Sequence, residues 1–229
     1  MILVTTMLLL ALASSAAGQG VIISHHVAAD FAVTADPGTA HWKNVTGVTF
    51  DTDNFGKPVP GHRTDVRSQW TDKYVYFLFT CPYKELYLKP NPQTTADTNK
   101  LWDWDVAEVF VGSDFKNIGL YKEFELSPQG EWIDLDINRH DLRPDVNRKW
   151  NSGWEVKARI DKAKSIWYGE MKIPIASIDN RAPKSGNEMR INFYRCQGKP
   201  EGRIYMCWRP TKDPSFHHPE AFGILRLGD

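Results

Sequence analysis

Short stretches of alternating apolar and polar residues run along most of the chain and predict β-strands. Most of them alternate with period two, or form aromatic and β-branched runs bounded by Gly, Pro, Asn or Asp. No helical periodicity longer than about two turns is evident, and residues 174–179 predict a single helical turn. About ten short strands indicate an all-β fold, an antiparallel β-sandwich of jelly-roll or immunoglobulin-like type. The predicted strands are residues 66–70, 74–80, 106–112, 121–127, 131–137, 154–160, 166–174, 189–196, 204–208 and 223–227.

The segments between and before these strands predict the domain organisation. Residues 81–101 and 138–153 are polar and long, and long loops on a β scaffold commonly carry binding groups. At the N-terminus, an apolar block from Met7 to Ala13 is followed by small residues. This pattern is typical of a secretory signal peptide and is shorter than the roughly 18–20 residues of a membrane span. We therefore expect a signal peptide at residues 1–19, one domain at 20–229, and a secreted or periplasmic protein without a membrane span.

Charge and cysteine content narrow the choice of partners. Lys plus Arg and Asp plus Glu number 28 each, so nothing indicates binding to nucleic acid or to an anionic membrane surface. The three cysteines are too few for a disulfide scaffold. Cys196 and Cys207 flank a hairpin tip and are a candidate disulfide of an exported protein, provided that the hairpin register places them opposite each other.

Familiar catalytic motifs are absent, but pairs of carboxylates are frequent. The chain lacks the nucleophile elbow, the Walker loop, the dinucleotide fingerprint and the H-E-x-x-H motif. Two acids at positions i and i+2 of a strand lie about 6.5–7 Å apart, which overlaps the spacing in inverting glycosidases. A glycoside hydrolase using an acid pair such as Glu108 and Glu125 is therefore an alternative. In the commoner arrangement, acids of the stretches 123–126 and 133–137 face solvent, and their apolar neighbours face the core: Phe124, Leu126, Ile133, Leu135 and Ile137.

Two further patterns suggest cofactors. Asp51 and Asp53 alternate like ligands of a calcium loop, although the closing glutamate of an EF-hand is missing, so a structural calcium ion is a candidate. Met206 or His217 would be the axial ligand if the sandwich bound haem as an electron-transfer module. No Met/His pair occupies matched strand positions, so this alternative ranks last.

Aromatic residues carry the most specific signal. Nine tryptophans are many for 229 residues, and most of them are expected to pack in the core. Trp70, Trp132 and Trp154 lie inside strand patterns and are expected to be structural. Trp102 lies at the end of a polar loop beside acids, where an indole face can bind the apolar face of a sugar while carboxylates accept from its hydroxyls. The sequence does not decide whether Trp104 forms a second sugar-binding platform or packs at the rim of the core.

The acid and the apolar residues that follow these tryptophans have simpler roles. Asp105 is expected to shape the start of the next strand through a local hydrogen bond to backbone amides. Ala107, Val109 and Val111 are expected to form the buried side of that strand.

Four segments, in order and at matching spacing, resemble the family 9 carbohydrate-binding modules. They are "VRSQWTDKYVYFLFTC", "WDWDVAEVFVG", "SIWYGEMKIPIASI" and "PSFHHPEAFGILRL". Together they span nearly all of the chain after the predicted signal peptide. The resemblance implies a β-sandwich that binds an oligosaccharide or polysaccharide without catalysis, and an association with polysaccharide breakdown.

The resemblance also implies a binding site. Two aromatic rings of that family form an open slot that clamps a terminal sugar, and Trp102 and Phe216 occupy their positions. Glu108 falls at the family's hydroxyl-binding glutamate, and the strand period places it on the same face as Trp102. Asp213 and Tyr194 fall where the family carries sugar-contacting amides.

Two departures from the family pattern affect this site. Glu125 stands where the family has an arginine, and Phe216 replaces a larger tryptophan. A smaller ring and a lost guanidinium are expected to weaken or redirect binding, so the family's preference for cello- or xylo-oligosaccharides does not transfer directly.

Overall fold

The computed structural model describes residues 20–141 and 150–229, so the predicted signal peptide lies outside the described residues. Within these ranges the chain forms short 3₁₀ turns at Leu101–Asp103, Ile175–Ser177, Pro200–Gly202 and Pro219–Ala221. None of the helical segments described is long and apolar enough to cross a membrane. The strands are β1 (Val21–His26), β2 (Val48–Phe50), β3 (Thr64–Trp70), β4 (Tyr74–Pro82), β5 (Val106–Gly112), β6 (Leu120–Leu126), β7 (Trp132–Asn138), β8 (Glu155–Asp161), β9 (Ile166–Pro174), β10 (Glu188–Gln197), β11 (Ile204–Cys207) and β12 (Gly223–Leu227).

All ten predicted strands are present. The bounds of β5, β9 and β12 match the prediction, and the other predicted strands differ by one or two residues at one or both ends. The predicted single helical turn forms at Ile175–Ser177. The sequence prediction missed β1, which directly follows the predicted signal peptide, and β2, which has only three residues.

The strands follow the order β7-β6-β5-β10-β12-β1-β3-β4-β9-β8, with β11 beside β10 and β2 beside β3. The first half of β1, Val21 to Ser24, pairs with β12, and His25 and His26 pair with β3. Strand β1 therefore divides the fold into a slot sheet (β7, β6, β5, β10, β12 and β11) and a back sheet (β3, β4, β9, β8 and β2). The fold is the expected all-β sandwich, although β1 makes parallel pairs on both sides where the sequence predicted antiparallel strands throughout.

The main core lies between the two sheets. Phe193 of the slot sheet meets Phe77 and Phe79 of the back sheet edge-on, with ring centroids 5.5 and 5.8 Å apart. Ala107, Val109 and Val111 face this core, as predicted. Burying these apolar side chains is the main force that holds the sheets together.

The tryptophans predicted to be structural also belong to this core. Trp70 and Trp154 are buried, and Trp132 packs against the core while partly exposed. The rings of Trp132 and Trp154 lie 6.1 Å apart in an edge contact, which brings the β7 and β8 ends of the sheet order together.

The prediction that the acids of β6 and β7 face solvent was wrong for Glu123, Glu125 and Asp134. All three are buried, and Asp134 accepts a hydrogen bond from the Ser152 amide. The outer face of the slot sheet is covered by loops and carries a second apolar cluster of its own. Three β7 residues predicted to face the core belong instead to this outer cluster: Ile133, Leu135 and Ile137.

The proposed disulfide is not formed. The β10–β11 register pairs Tyr194 with Cys207 and Cys196 with Tyr205, so the two cysteines are offset by two residues. Both are buried free thiols. Burial raises the pKa of the Cys196 thiol well above its ordinary value, which makes it a poor nucleophile.

Candidate functional site

A cavity of about 650 Å³ opens on the outer face of the slot sheet. Aromatic rings contributed mainly by loops line it: Tyr87, Trp102, Trp104, Tyr205 and Phe216. Carboxylates contributed by strands form its floor: Glu108, Glu123 and Glu125. This combination of apolar walls and a polar floor is typical of a small-molecule site.

Trp102 reaches the cavity from a 3₁₀ turn rather than from a strand. The turn follows Lys100, whose backbone is left-handed (φ 57°), and it is anchored by the fully buried Leu101. Trp102 itself is half-buried, and β5 begins four residues later at Val106. Trp102 and Glu108 share one cavity, as expected. The expected reason, that both lie on one face of the same strand, was wrong, because the 3₁₀ turn positions the indole.

Arg203 holds this turn in position. Its guanidinium donates to the backbone carbonyls of Trp102 and Trp104 and, at 2.7 Å, to that of Gly198. Arg203 also lines the cavity. Sequence reasoning missed it because the contacts span about a hundred residues of chain and leave no local signal.

Asp105 accepts two backbone hydrogen bonds, from the amides of Tyr87 at 3.0 Å and Gly198 at 2.7 Å. The prediction of bonds to backbone amides is confirmed, but the partners are distant in sequence rather than local. The Tyr87 ring stacks on Trp104 at 4.6 Å between centroids. Trp104, left open by the sequence, is therefore part of the cavity wall.

Phe216 forms the wall contributed by the C-terminal loop. It stacks on Tyr194 with centroids 4.3 Å apart, and the Tyr194 hydroxyl donates to the Phe216 carbonyl at 3.0 Å. Tyr194 is fully buried and does not line the cavity, so it supports Phe216 from behind.

Asp213 also lies outside the cavity lining. It accepts from the Ser215 amide at 2.8 Å and lies 3.2 Å from His218 Nε2. Of the five residues predicted for the site, the structure therefore brings Trp102, Glu108 and Phe216 around one cavity and leaves Tyr194 and Asp213 outside its lining.

The floor brings three carboxyl groups close together. Glu108 and Glu125 are directly opposite each other on β5 and β6, and oxygens of Glu108, Glu123 and Glu125 lie within 4.8 Å of one another. Burial, and then the neighbouring Glu123, raise the pKa of Glu108 to about 8. Burial, and then Glu108, raise the pKa of Glu125 well above its ordinary value. Sequence reasoning did not place Glu123 in the site, because its i,i+2 spacing with Glu125 also fits a solvent-facing strand.

The other predicted cofactor residues lie elsewhere. Asp53 accepts from the amides of Phe55 and Lys57, an arrangement that closes a tight turn. Met206 is buried in the main core, whereas His217 lines the cavity on the other side of the slot sheet. These two residues therefore do not share a haem site. A calcium ion at Asp51 and Asp53 stays a prediction.

Comparison with known proteins gives a family match over most of the chain. Residues 37–229 match the family described as carbohydrate family 9 binding domain-like. An "Extracellular protein" from Arthroderma benhamiae is 25% identical over 186 residues, which cover 74% of this chain and 82% of that protein.

Solved structures share the fold. A candidate carbohydrate-binding protein from Bacteroides uniformis superposes with a TM-score of 0.69 at 16% identity, covering 90% of this chain and 98% of that one. A family 9 module from Caldicellulosiruptor kristjanssonii, solved with cellotriose, gives 0.64 at 13% identity, covering 91% and 94%. A family 9 module from the same organism, solved with glucose, gives 0.62 at 12% identity, covering 90% and 96%.

Proposed function

Because the chain belongs to the carbohydrate family 9 binding domain-like family, we propose that it is a secreted, non-catalytic protein that binds a sugar between Trp102 and Phe216. The observation that carries this proposal is the cavity on the slot sheet, where the two rings line the same space as the buried carboxylate of Glu108.

The chemistry of the cavity suits a sugar. A pyranose ring has apolar C–H faces and a rim of hydroxyls, so aromatic rings can cover the faces while carboxylates accept from the rim. Trp102 is half-buried, which leaves part of the indole accessible, while Tyr194 and Tyr205 pack against Phe216. The cavity volume of about 650 Å³ falls in the range of roughly 300–1,000 Å³ usual for ligand pockets.

Gluco-configured sugars are the first ligands to test. One structural neighbour was solved with cellotriose and another with glucose. Glu125 in place of an arginine and Phe216 in place of a tryptophan change the charge and the area of the slot. The sugar that this slot prefers is therefore expected to differ from the sugars bound by those neighbours.

Export of the protein rests on two supports. Residues 1–19 have the pattern of a signal peptide, and one relative is named an extracellular protein. Outside the cell, the protein would meet polysaccharide fragments, in keeping with a role in polysaccharide breakdown.

A glycan array followed by calorimetric titration tests the proposal. Purified protein is screened with and without calcium against cello-oligosaccharides, xylo-oligosaccharides, glucose and a broad set of other glycans. We expect saturable binding of at least one glycan at micromolar to millimolar dissociation constants, about 4–8 kcal/mol of binding free energy. A folded protein that binds none of them contradicts the proposal.

The floor also favours one second candidate, a glycoside hydrolase. A protonated glutamate with a raised pKa can serve as a general acid, and Glu108 has Glu125 directly opposite it as a carboxylate partner. Turnover is measured as released reducing ends from the same glycans. Turnover that the Glu108→Gln variant lacks would make the protein an enzyme. If no glycan that binds is hydrolysed, binding is the function and the hydrolase is ruled out for those glycans.

A further inference from the structure

The three floor carboxylates lie where charge should be hard to keep. Glu108, Glu123 and Glu125 are 2%, 4% and 0% exposed, with oxygens within 4.8 Å of one another. Removing a carboxylate from water is unfavourable unless other groups compensate its charge, and like charges at this distance make it more unfavourable. The arrangement therefore calls for a partner.

Another buried glutamate of the same chain shows what compensation looks like. Glu170, fully buried in β9, accepts hydrogen bonds from the amides of Thr34 and Ala35 and from the Trp42 indole. Neither carboxylate oxygen of Glu125, by contrast, accepts a hydrogen bond from a nitrogen or hydroxyl donor among residues 20–141 and 150–229, although the side chain is equally buried and lines the cavity. The side chain that shares a hydrogen bond with it is Glu123, a second carboxyl group that brings no positive charge.

The neighbouring groups compensate the charge of Glu108 and Glu125 only weakly. Glu108 accepts one hydrogen bond from the Cys196 thiol at 3.2 Å, and a thiol is a weak donor. Arg203 is the cation that lowers the pKa of Glu108, but its guanidinium donates to three backbone carbonyls. The imidazole of His217 lies 4.0 Å from Glu123. In the described part of the chain no Lys or Arg forms a salt bridge with Glu108 or Glu125.

We infer that Glu108, Glu123 and Glu125 hold a divalent cation of the calcium class at the floor of the cavity, and that hydroxyls of the bound ligand complete its coordination. Calcium takes six to eight oxygens at about 2.3–2.6 Å, so oxygens on opposite sides of the ion lie about 4.6–5.2 Å apart. The 4.8 Å limit on the floor oxygens fits this geometry. The part of the inference that concerns ligand hydroxyls rests on the proposed sugar binding, whereas cation binding does not.

The open side of the cavity gives the cation a role in recognition. Three carboxylates would leave coordination positions of a calcium ion unfilled, and all three line the cavity together with the aromatic walls. Two vicinal hydroxyls of a sugar can fill such positions.

Terbium luminescence tests the cation site without any sugar. After treatment with EDTA and its removal, Tb³⁺ is titrated while tryptophan is excited, because Trp102 and Trp104 line the same cavity. We expect a saturable signal that Ca²⁺ displaces. Glu125→Gln should weaken terbium binding at least tenfold, whereas Glu155→Gln, an exposed acid of β8 on the back sheet, should leave it unchanged.

The absence of a saturable terbium signal would overturn the cation site. Equal terbium affinity in wild type and in Glu125→Gln would also overturn it. Glu123→Gln is measured in parallel, and circular dichroism establishes that each variant is folded before its affinity is compared. Glucosamine binding that exceeds glucose binding in EDTA would also overturn the inference, because the floor would then bind an ammonium group directly.

The affinity for a bound glycan, measured in Ca²⁺ and in EDTA, separates this inference from the proposed function. We expect at least tenfold weaker binding in EDTA. Equal affinities would overturn coordination by the sugar and leave the proposed function standing. Saturable terbium binding together with no glycan binding would contradict the proposed function and leave the cation site standing.

Discussion

At the scale of single residues, Trp102 is a wall side chain that other residues hold in position and that stays partly accessible. It is half-buried against the outer apolar cluster, and its backbone carbonyl accepts from Arg203. Its turn starts at a left-handed Lys100, a backbone conformation that a non-glycine residue keeps only when its surroundings impose it. The protein therefore holds this indole in place before a ligand arrives, which reduces the entropy lost on binding.

Replacing Trp102 by alanine should remove binding and leave the fold intact. Loss of a central aromatic contact costs about 2 kcal/mol or more, roughly a thirtyfold loss of affinity. The affinity is measured by calorimetry and the unfolding transition by circular dichroism. Phe115→Ala, which removes an aromatic ring that is 46% exposed and does not line the cavity, should bind like wild type. Unchanged affinity in Trp102→Ala would show that the sugar binds elsewhere.

The sequence predicted the residues of the site unevenly. Trp102, Glu108 and Phe216 could be placed because they belong to motifs of the family. Arg203 and Glu123 could not, because Arg203 acts through contacts about a hundred residues away and Glu123 resembles a solvent-facing acid. Side-chain roles that depend on tertiary contacts leave no local pattern.

At the scale of elements, the site depends on how the loop before β5 meets the β10–β11 hairpin. Arg203 follows the 3₁₀ turn Pro200–Gly202 of that hairpin and reaches the carbonyls of Trp102 and Trp104. Asp105 adds a second link, because it accepts from the amide of Gly198 in the same hairpin. The hairpin therefore fixes the wall of the cavity.

The conservative change Arg203→Lys should weaken binding more than it weakens the fold. A lysine ammonium cannot reproduce the planar fork that reaches three carbonyls at once, so the Trp102 turn should loosen. We expect about 1.4 kcal/mol, a tenfold loss of glycan affinity, by calorimetry.

Arg226→Lys is the matched control for this change, because Arg226 makes a surface salt bridge to Glu188 on β10, near the start of the strand. Its affinity should equal that of wild type. Equal losses in both variants would mean that Arg203 does not position the wall.

The elements themselves were largely predictable, and the exceptions have physical reasons. Period-two patterns located ten strands, since alternation reports which residues share a face. The pattern does not report which face is the core, and both faces of the slot sheet are buried. The apolar residues of β7 were therefore assigned to the wrong face, and the acids of β6 were assigned to solvent.

At the scale of the whole molecule, the sandwich is a rigid support for a site built mostly by loops. The two sheets share the main core and are joined edge to edge through β1. Strand β10 contributes both to the core and to the site. Phe193 faces the core, and Tyr194 faces the outer cluster, where it supports Phe216. Stability and the shape of the cavity are therefore coupled through one strand.

Replacing Phe193 by alanine should destabilise the entire fold. It removes a fully buried ring that contacts Phe77 and Phe79 across the sandwich, and we expect a loss of about 3–5 kcal/mol in the free energy of unfolding. The loss is measured by urea denaturation. Phe55→Ala, at a ring that is 44% exposed, should change stability by no more than about 0.5 kcal/mol. A similar small change in Phe193→Ala would contradict the described core.

The most direct test of the central claim is the response of the nine tryptophan indole N–H signals to a bound glycan in ¹⁵N-labelled protein. Trp102→Phe and Trp104→Phe assign the two signals of the cavity, and the fully buried Trp42 and Trp167 serve as internal references. We predict that the signals of Trp102 and Trp104 shift in a saturable manner during the titration, while those of Trp42 and Trp167 stay in place. A glycan that binds without moving the Trp102 signal would contradict the aromatic slot as the binding site.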